Sequence, residues 1–337
     1  MTLSSINIGD VTIANPVLLA PMSGVTDLPF RKMVRRQGAG MVVSEMVASN
    51  EALRETKGTM KRLSREPDEQ PQVVQLVGHD PYVMAEAAKF CEDLGADIID
   101  INFGCPAKKV TNKLCGSAIM RDLPLATDIL TAVVGAVSRP VTMKMRTGWD
   151  MDMRNAPELA RIAEDSGIRM VTVHGRTREQ KYTGQADWSF IRKVKQAVSL
   201  PVIANGDITD RSKAARCLEK SGADGVMIGR GAQGRPWFLA QVIAFLDRGE
   251  RIDDPDIVRQ RDLLLEHYDL ILSHHGTYSG VRMARKHLAW YIKNLPGAAA
   301  VRNDLVKMEE PQKVVDAICD YYARMSDLMC ALPAGDV

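Results

Sequence analysis

A cysteine stands directly after a strand pattern in the first third of the chain. The run 98–102 (IIDIN) is apolar with polar residues alternating into it, which predicts a buried strand that ends in polar groups. Gly104 and Pro106 end this strand and place Cys105 on a stiff turn. A thiol at the mouth of a strand favours a catalytic role, whereas a lone cysteine is most often a small buried hydrophobe. These residue types alone leave both interpretations open.

The loop that follows this cysteine is basic. No acidic residue occurs between Asp100 and Asp122. The basic residues of this stretch are Lys108, Lys109, Lys113 and Arg121. A flexible cationic loop beside a thiol predicts a polyanionic substrate.

The bulk composition is that of an ordinary globular protein. The 337 residues are 45% hydrophobic and 26% charged, and the net charge of +2 is too small to indicate a nucleic-acid partner by itself. The six cysteines show no C-x-x-C spacing, so we expect free thiols in a reducing, cytoplasmic setting and no structural metal site. The first residues lack the pattern of a secretory signal, and no apolar run approaches the ~20 residues that span a bilayer.

Apolar runs alternate with helical patterns through most of the chain. After a short predicted hairpin at residues 6–13, eight strand-like runs begin at Val17, Met41, Val73, Ile98, Val141, Met170, Val202 and Gly225. Helical periodicity separates most of them, which predicts parallel strands covered on both faces. Eight such units fit a (β/α)8 TIM barrel, which takes ~250 residues, better than a doubly wound sheet.

Polar residues fall at or just past the ends of these strands. They are Gln75, Asn102, Lys144, Arg146, His174, Arg176, Asn205, Asp207 and Arg230. Because the carboxyl ends of barrel strands converge on one face, we expect these side chains to form a single site there. Barrel-mouth packing is the alternative role for them.

The strand pattern stops near Arg251, and only helical patterns follow. We therefore predict a barrel domain over residues 1–248 and a small all-helical domain over 249–337. Between Leu270 and Asn303 there is no acidic residue. Four cations of this segment are Arg282, Arg285, Lys286 and Lys293. A solvated helix face is the usual explanation of such a stripe, and an RNA phosphate backbone is the other.

A glycine motif follows the eighth strand. Residues 229–234 (GRGAQG) fit G-x-G-x-x-G, but a dinucleotide-binding unit normally opens its sheet and needs an acid after the next strand. Here the motif closes the series, which favours a barrel phosphate site built from the loops after strands seven and eight. We therefore expect this site to bind the phosphate of a mononucleotide, and a flavin is the mononucleotide that a barrel mouth commonly holds.

Several short motifs together resemble one family, the tRNA-dihydrouridine synthases. They are residues 20–22 (APM), 75–78 (QLVG), 100–106 (DINFGCP), 144–148 (KMRTG), 174–177 (HGRT), 204–207 (ANGD) and 228–231 (IGRG). The continuation 105–110 (CPAKKV) and the tail segment 282–287 (RMARKH) are most similar to the bacterial B-type branch.

This resemblance implies an FMN-dependent enzyme that uses NADPH to reduce the C5=C6 bond of a D-loop uridine in tRNA. A proton donor is needed at C5, and the mostly protonated thiol of Cys105 suits that role. Lys144, with His174 nearby, would stabilise the negative charge of reduced flavin. The remaining implied flavin contacts are Pro21, Met22, Ser23, Gln75, Asn205, Gly206, Asp207, Gly229 and Arg230.

The resemblance also implies contacts to tRNA. The residues expected there are Asn102, Lys108, Lys109, Arg176, Arg282, Arg285 and Lys286, although Arg176 suits the flavin phosphate equally well. A flavin barrel acting on a small molecule, or a non-catalytic RNA-binding protein, are the rival functions. We expect a monomer, and the sequence leaves the uridine, the set of tRNAs and the choice of NADPH over NADH undetermined.

Overall fold

A computed structural model describes residues 3–52, 56–64 and 70–331 of the chain. It opens with the predicted hairpin, in which β1 (Ile6–Ile8) pairs antiparallel with β2 (Val11–Ile13). Gly9 takes a positive φ of 64° in the turn between them. Among the described residues, no helix combines the length and the apolarity needed to cross a membrane.

Within the described residues, nine short parallel strands form the main sheet. They are β3 (Val17–Leu19), β4 (Met41–Val42), β5 (Val47–Ala48), β6 (Val73–Val77), β7 (Ile98–Phe103), β8 (Val141–Arg146), β9 (Met170–His174), β10 (Val202–Asn205) and β11 (Gly225–Ile228). Their spatial order is β4-β3-β11-β10-β9-β8-β7-β6-β5. Nearly every residue of these strands is buried, as expected when helices cover the outside and side chains fill the inside.

The sheet closes on itself between β4 and β6. A parallel bridge joins Val43 to Val73, and the Ser44 amide donates to the Val73 carbonyl oxygen at 3.0 Å. The β4 and β5 strands are therefore two halves of the second barrel strand. The strand is interrupted at Ser44, whose hydroxyl accepts a hydrogen bond from the backbone N–H of Gln75. The predicted (β/α)8 barrel is confirmed, with one strand split at this side-chain contact.

Helices follow the barrel strands. They are α1 (Leu28–Arg35), α2 (Ser49–Ala52), α3 (Lys57–Leu63), α4 (Pro81–Asp93), α5 (Lys108–Thr111), α6 (Leu123–Ala136), α7 (Ala156–Asp165), α8 (Trp188–Lys195), α9 (Arg211–Ser221) and α10 (Phe238–Arg248). Two 3₁₀ turns span Gly116–Arg121 and Arg230–Ala232. Among the described barrel helices, five begin with an aspartate whose side chain accepts a hydrogen bond from a backbone N–H of the first turn; these caps are Asp27, Asp80, Asp122, Asp187 and Asp210. Each such cap stabilises its helix by about 1 kcal/mol and fixes where the preceding loop ends.

The described residues after Arg251 contain only helices, as predicted: α11 (Ile257–His275), α12 (Thr277–Tyr291), α13 (Ala298–Leu305) and α14 (Pro311–Ala331). They form a second compact unit that also includes Ala232–Phe238. Within this unit, Trp237 donates its indole N–H to Asp254 at 2.9 Å. A Cβ at Gly234 would lie 2.4 Å from the Trp290 backbone, so the last glycine of the G-x-G-x-x-G motif permits close backbone packing.

Gly225 opens β11 under the backbone of the β2–β3 connection. A Cβ at this position would lie 2.4 Å from the carbonyl oxygen of Pro16. We expect Gly225→Ala to lower the free energy of unfolding by about 1–3 kcal/mol, since neither backbone can move aside without disturbing the barrel. Thermal unfolding followed by circular dichroism measures this change.

The matched control is Gly135→Ala, in α6. A Cβ there would meet nothing within 4 Å, so the alanine should leave stability unchanged or raise it by up to about 1 kcal/mol. Equal melting temperatures for the Gly225→Ala variant and the wild type would contradict the packing argument.

Candidate active site

The carboxyl ends of the parallel strands bring the predicted polar residues to one face of the barrel. Strand register decides which of them become neighbours. Asn102 of β7 pairs with Lys144 of β8, and Arg146 of β8 pairs with His174 of β9. His174 pairs in turn with Asn205 of β10. Neighbouring residues in parallel register point to the same side, so these side chains share the barrel mouth.

The turn that carries Cys105 is fixed by side-chain hydrogen bonds. The Asn102 side-chain oxygen accepts from the backbone N–H groups of Gly104, at 3.0 Å, and of Cys105, at 2.9 Å. Ser117 holds the other side of the turn, because its amide and its hydroxyl both donate to the Cys105 carbonyl oxygen. The thiol is partly exposed on a backbone that has little freedom to move.

A buried chain of hydrogen bonds orients Asn102. Its amide donates to the Gln75 side-chain oxygen at 2.7 Å, and Gln75 donates to Asp100 at 2.6 Å. The second Asp100 oxygen accepts from the Thr142 hydroxyl at 2.6 Å. Burial raises the pKa of Asp100, against the opposing effect of these hydrogen bonds. Gln75 therefore lies inside the barrel in this chain of contacts.

A cavity of about 110 Å³ opens at the barrel mouth. The predicted cofactor-binding residues that line it are Pro21, Met22, Lys144, His174, Asn205, Gly206, Asp207, Gly229 and Arg230. Ser23 is exposed and Gln75 is buried, and neither lines the cavity. Asn205 is anchored from below, because its side-chain amide donates to the Met227 carbonyl oxygen at 2.7 Å.

Lys144 is the main cation of this cavity. In the part of the chain that the structure describes, its ammonium group has no hydrogen-bond or ion-pair partner. Burial lowers the pKa of Lys144 to about 8, and the nearby Arg146 contributes, while Asp100 and Cys105 act in the opposite direction. A poorly solvated ammonium group without a partner is suited to receive an anionic group of a ligand.

His174 is neutral at physiological pH. Burial is the largest cause that places its pKa well below the ordinary value, and the cations Arg146 and Lys144 add to it. Its Nε2 lies 3.4 Å from the Arg176 guanidinium. The imidazole can therefore accept or donate one hydrogen bond in the cavity without adding charge.

Arg176 is committed to protein partners. It is almost completely buried and forms a two-point ion pair with Asp207, at 2.9 and 2.7 Å. Its remaining N–H groups donate to the carbonyl oxygens of Thr183 and Gly184. Arg176 thus ties the loop over residues 177–187 to Asp207 and is placed to position the site.

Asp207 lies in the left-handed region, with a φ of 56°. Its carboxylate also accepts from the Ala186 amide at 2.8 Å and from Arg230 at 3.2 Å. Burial raises its pKa, but the hydrogen bond from Arg176 and the other contacts outweigh burial and the net pKa is lowered. The carboxylate therefore remains ionised and holds the exposed Arg230 at the edge of the cavity.

Tyr182 is a cavity residue that the sequence did not reveal. Its ring lies below the guanidinium groups of Arg230, at 4.9 Å, and Arg146, at 5.7 Å, and 6.4 Å from the His174 ring. Arg146 also donates to the carbonyl oxygens of Gly104 and Thr177, which links the cysteine turn to this loop. The available signal was that Tyr182 is the single aromatic residue in segment 175–187.

The candidate RNA contacts lie in several places. Lys108 and Lys109 are exposed on α5, three and four residues after Cys105. In the helical unit, Arg282 lies over the Tyr278 ring at 3.8 Å and pairs with Glu309 at 2.9 Å. Arg285 donates to the Met308 carbonyl oxygen, and Arg285 and Lys286 are both partly buried.

The lowered pKa of Lys144 has a measurable consequence for stability. Because its pKa is lower in the folded than in the unfolded chain, the unfolded chain binds more protons between about pH 8 and 10.5. The unfolding free energy of the ligand-free wild type should rise with pH across that window relative to Lys144→Met, by at most about 1.4 kcal/mol per pH unit. Urea titrations at several pH values measure this, with Lys193→Met, at an exposed lysine, as the control. If the difference in unfolding free energy between the wild type and Lys144→Met did not change with pH, the lowered pKa of Lys144 would be refuted.

Comparisons with known proteins show which family this chain resembles. The family profile described as "Dihydrouridine synthase (Dus)" matches residues 18–326. A probable tRNA-dihydrouridine synthase of Rickettsia bellii is 54% identical over 318 residues, covering 94% of this chain and 98% of the relative. A tRNA-dihydrouridine synthase B of Xanthomonas axonopodis is 49% identical over 315 residues, covering 94% and 95%.

Solved structures support the fold alone. Histamine dehydrogenase from Rhizobium sp. 4-9 aligns with a TM-score of 0.55 at 12% identity, over 96% of this chain and 64% of that chain. The 6-hydroxypseudooxynicotine amine oxidase of Pseudomonas geniculata has the same TM-score at 14% identity, over 73% of this chain and 49% of that chain. The profile match and the relatives show that this chain belongs to the dihydrouridine synthase family.

Proposed function

We propose that this protein is an FMN-dependent tRNA-dihydrouridine synthase, which reduces the C5=C6 bond of a D-loop uridine with NADPH as the reductant. The observation that carries the proposal is that two groups lie together at the barrel mouth. They are the ammonium group of Lys144, which has no partner among the described residues, and the partly exposed thiol of Cys105 on its rigid turn. The relatives are named tRNA-dihydrouridine synthases, which supports tRNA as the substrate.

The residues of the cavity fit a flavin mononucleotide. Ile208, Arg230 and Gly231 line the cavity, and Arg230 and Gly231 open a 3₁₀ turn, whose first backbone N–H groups have no acceptor within the turn. Such groups, together with the Arg230 guanidinium, suit a phosphate. Lys144 would lie against the N1 and O2 side of the ring, where negative charge develops on reduction.

The volume of this cavity is smaller than the ~300–1,000 Å³ of most ligand sites. Tyr182, which lines it, is 56% exposed and belongs to the loop over residues 177–187. Because Tyr182 is exposed and is not part of the buried Arg176–Asp207 pair, we propose that its ring moves aside when the flavin binds. We therefore assign the mouth of the cavity to the flavin ring and the Asp207–Arg230 end to the phosphate.

When bound, FMN would supply hydride chemistry directed at C6 of the uracil ring. The protein would then deliver a proton to C5, and we assign this role to the partly exposed thiol of Cys105. Asn102 fixes the backbone that carries the thiol by accepting hydrogen bonds from the two N–H groups of its turn. Arg146 holds the same turn through Gly104, so the donor keeps its position while the base enters.

The uridine has to leave the folded D-loop to reach this site, so contacts to the RNA backbone are required. Lys108 and Lys109 are exposed on the helix that directly follows the cysteine turn. The helical unit offers further cations, of which Arg282 and Lys293 are exposed. Arg282 would exchange its pair with the exposed Glu309 for a phosphate.

Replacing the thiol should separate the two halves of the reaction. We expect Cys105→Ala to bind FMN and oxidise NADPH as the wild type does, while dihydrouridine formation falls by roughly 10²–10⁴-fold because the proton donor is removed. Flavin absorbance, NADPH consumption and mass spectrometry of the tRNA measure the three quantities. Dihydrouridine formation at the wild-type rate would refute the role of Cys105, and a protein that binds no flavin would refute the proposed function.

The matched control is Cys115→Ala, in the same loop. The Cys115 thiol is buried, lies 3.4 Å from His79 Nδ1 and donates to the Lys113 carbonyl oxygen. Burial raises its pKa, which makes it a poorer proton donor. We expect this variant to keep its dihydrouridine activity.

The cations of the helical unit should act through counterion release. We expect Arg282→Ala with Lys293→Ala to raise the dissociation constant for tRNA and to reduce the log–log salt slope by roughly 0.7–0.9 for each phosphate that the protein no longer neutralises. NADPH oxidation without tRNA should not change. Binding titrations at several salt concentrations measure both effects.

Lys307→Ala with Lys313→Ala is the control, since it removes two exposed lysines of the same unit that lie outside the acid-free segment. Melting temperatures should be equal in all these variants. If the Arg282/Lys293 variant kept the wild-type affinity and salt slope, the stripe would be a solvated face.

A further inference from the structure

A second, larger cavity lies between the loop before α8 and the helix α9. Its volume is about 650 Å³, within the range of small-molecule sites. Its lining includes Trp188, Asp207, Thr209, Lys213, Arg216 and Lys220. We propose that this cleft binds the adenosine 2′-phosphate half of NADPH, an inference that rests on the function proposed above.

One wall of the cleft carries an excess of positive charge. Lys213, Arg216 and Lys220 follow one another at helical spacing along one face of α9. Lys213 is paired with Asp210 at 3.3 Å. Arg216 and Lys220 are exposed, and neither side chain has a polar partner in the described part of the chain.

The acids of the opposite wall do not neutralise these cations. Asp187 caps α8 and pairs with Arg154 at 2.8 Å. Asp207 is held by Arg176 and Arg230. Because both carboxylates are already paired, Arg216 and Lys220 are left to bind an anion from solution. A phosphate monoester carries close to two negative charges and matches two such cations.

An aromatic surface lies in the same cleft. The Trp188 indole N–H donates to the Gly206 carbonyl oxygen at 2.9 Å, which fixes the plane of the ring. The side chain is only partly buried, so one part of the ring is open to the cavity. A nucleobase stacks favourably on such a fixed indole. An aromatic platform with two unpaired cations is the combination that a 2′-phosphorylated adenosine requires.

The cleft adjoins the cavity assigned to the flavin. Asp207 and Thr209 line both of them. The shared residues lie at the end that we assign to the flavin phosphate, so an extended dinucleotide with its adenosine end in the cleft would pass this end before its nicotinamide meets the flavin ring. The cleft has a volume in the range of small-molecule sites, which favours a small nucleotide over an extended RNA backbone.

The test compares reduction of the FMN-loaded enzyme by NADPH and by NADH. In Arg216→Ala with Lys220→Ala, we expect the dissociation constant for NADPH to rise by about 10–100-fold, while that for NADH changes much less because NADH lacks the 2′-phosphate. Anaerobic stopped-flow measurement of flavin bleaching gives both constants. Adenosine 2′,5′-bisphosphate should compete with NADPH in the wild type and lose most of its effect in the variant.

The control is Arg139→Ala with Arg169→Ala, which removes two exposed cations just before β8 and β9, at the opposite end of the barrel. It should behave as the wild type. Unchanged NADPH affinity in the Arg216/Lys220 variant, an equal loss for NADPH and NADH, or a loss of tRNA affinity alone would each overturn the proposal. A wild-type enzyme that neither nucleotide reduces would overturn the proposed function as well.

Discussion

The ion pair between Arg176 and Asp207 is the interaction on which the rest of the site depends. It joins the loops after β9 and β10 and is nearly buried on the arginine side. Removal of Asp207 would leave the buried Arg176 charge without its carboxylate, which typically costs several kcal/mol. Through the same carboxylate, the pair sets the position of Arg230 and of the loop that carries Tyr182. Both cavities share Asp207, so their geometry is coupled through one side chain.

A second set of contacts, a buried chain of hydrogen bonds, lies beside the unpartnered ammonium group of Lys144. Asp100, Gln75 and Asn102 form a buried chain whose last member holds the cysteine turn. Every group in this chain has a partner, so it rigidifies the barrel mouth. Lys144, beside it, lacks a partner among the described residues and has a pKa lowered mainly by burial. Burial of the Lys144 ammonium group thus lowers the stability of the barrel, at the place where the proposed flavin would carry the opposite charge.

The two compact units have different chemical characters. The barrel unit concentrates buried, hydrogen-bonded polar groups at its strand ends. The helical unit shows exposed cations in a segment without acids, one of which pairs with Glu309 outside that segment. Buried pairing favours precise positioning of small groups, whereas exposed charge favours salt-dependent contact with a polyanion. A tRNA-modifying enzyme needs both kinds of surface.

The sequence by itself determined the barrel, the helical tail and the strand ends at which the site lies, because these depend on local periodicity. Tertiary structure decided which polar groups meet. The register that pairs Gln75 with Asp100 places Gln75 in a buried chain of hydrogen bonds and away from the cavity. Likewise, the sequence left open whether Arg176 contacts a phosphate or RNA. Its partner Asp207 is brought to it only by the tertiary structure, where the loops after β9 and β10 converge. Tyr182 and the cleft along α9 depend on the same convergence, which no local pattern encodes.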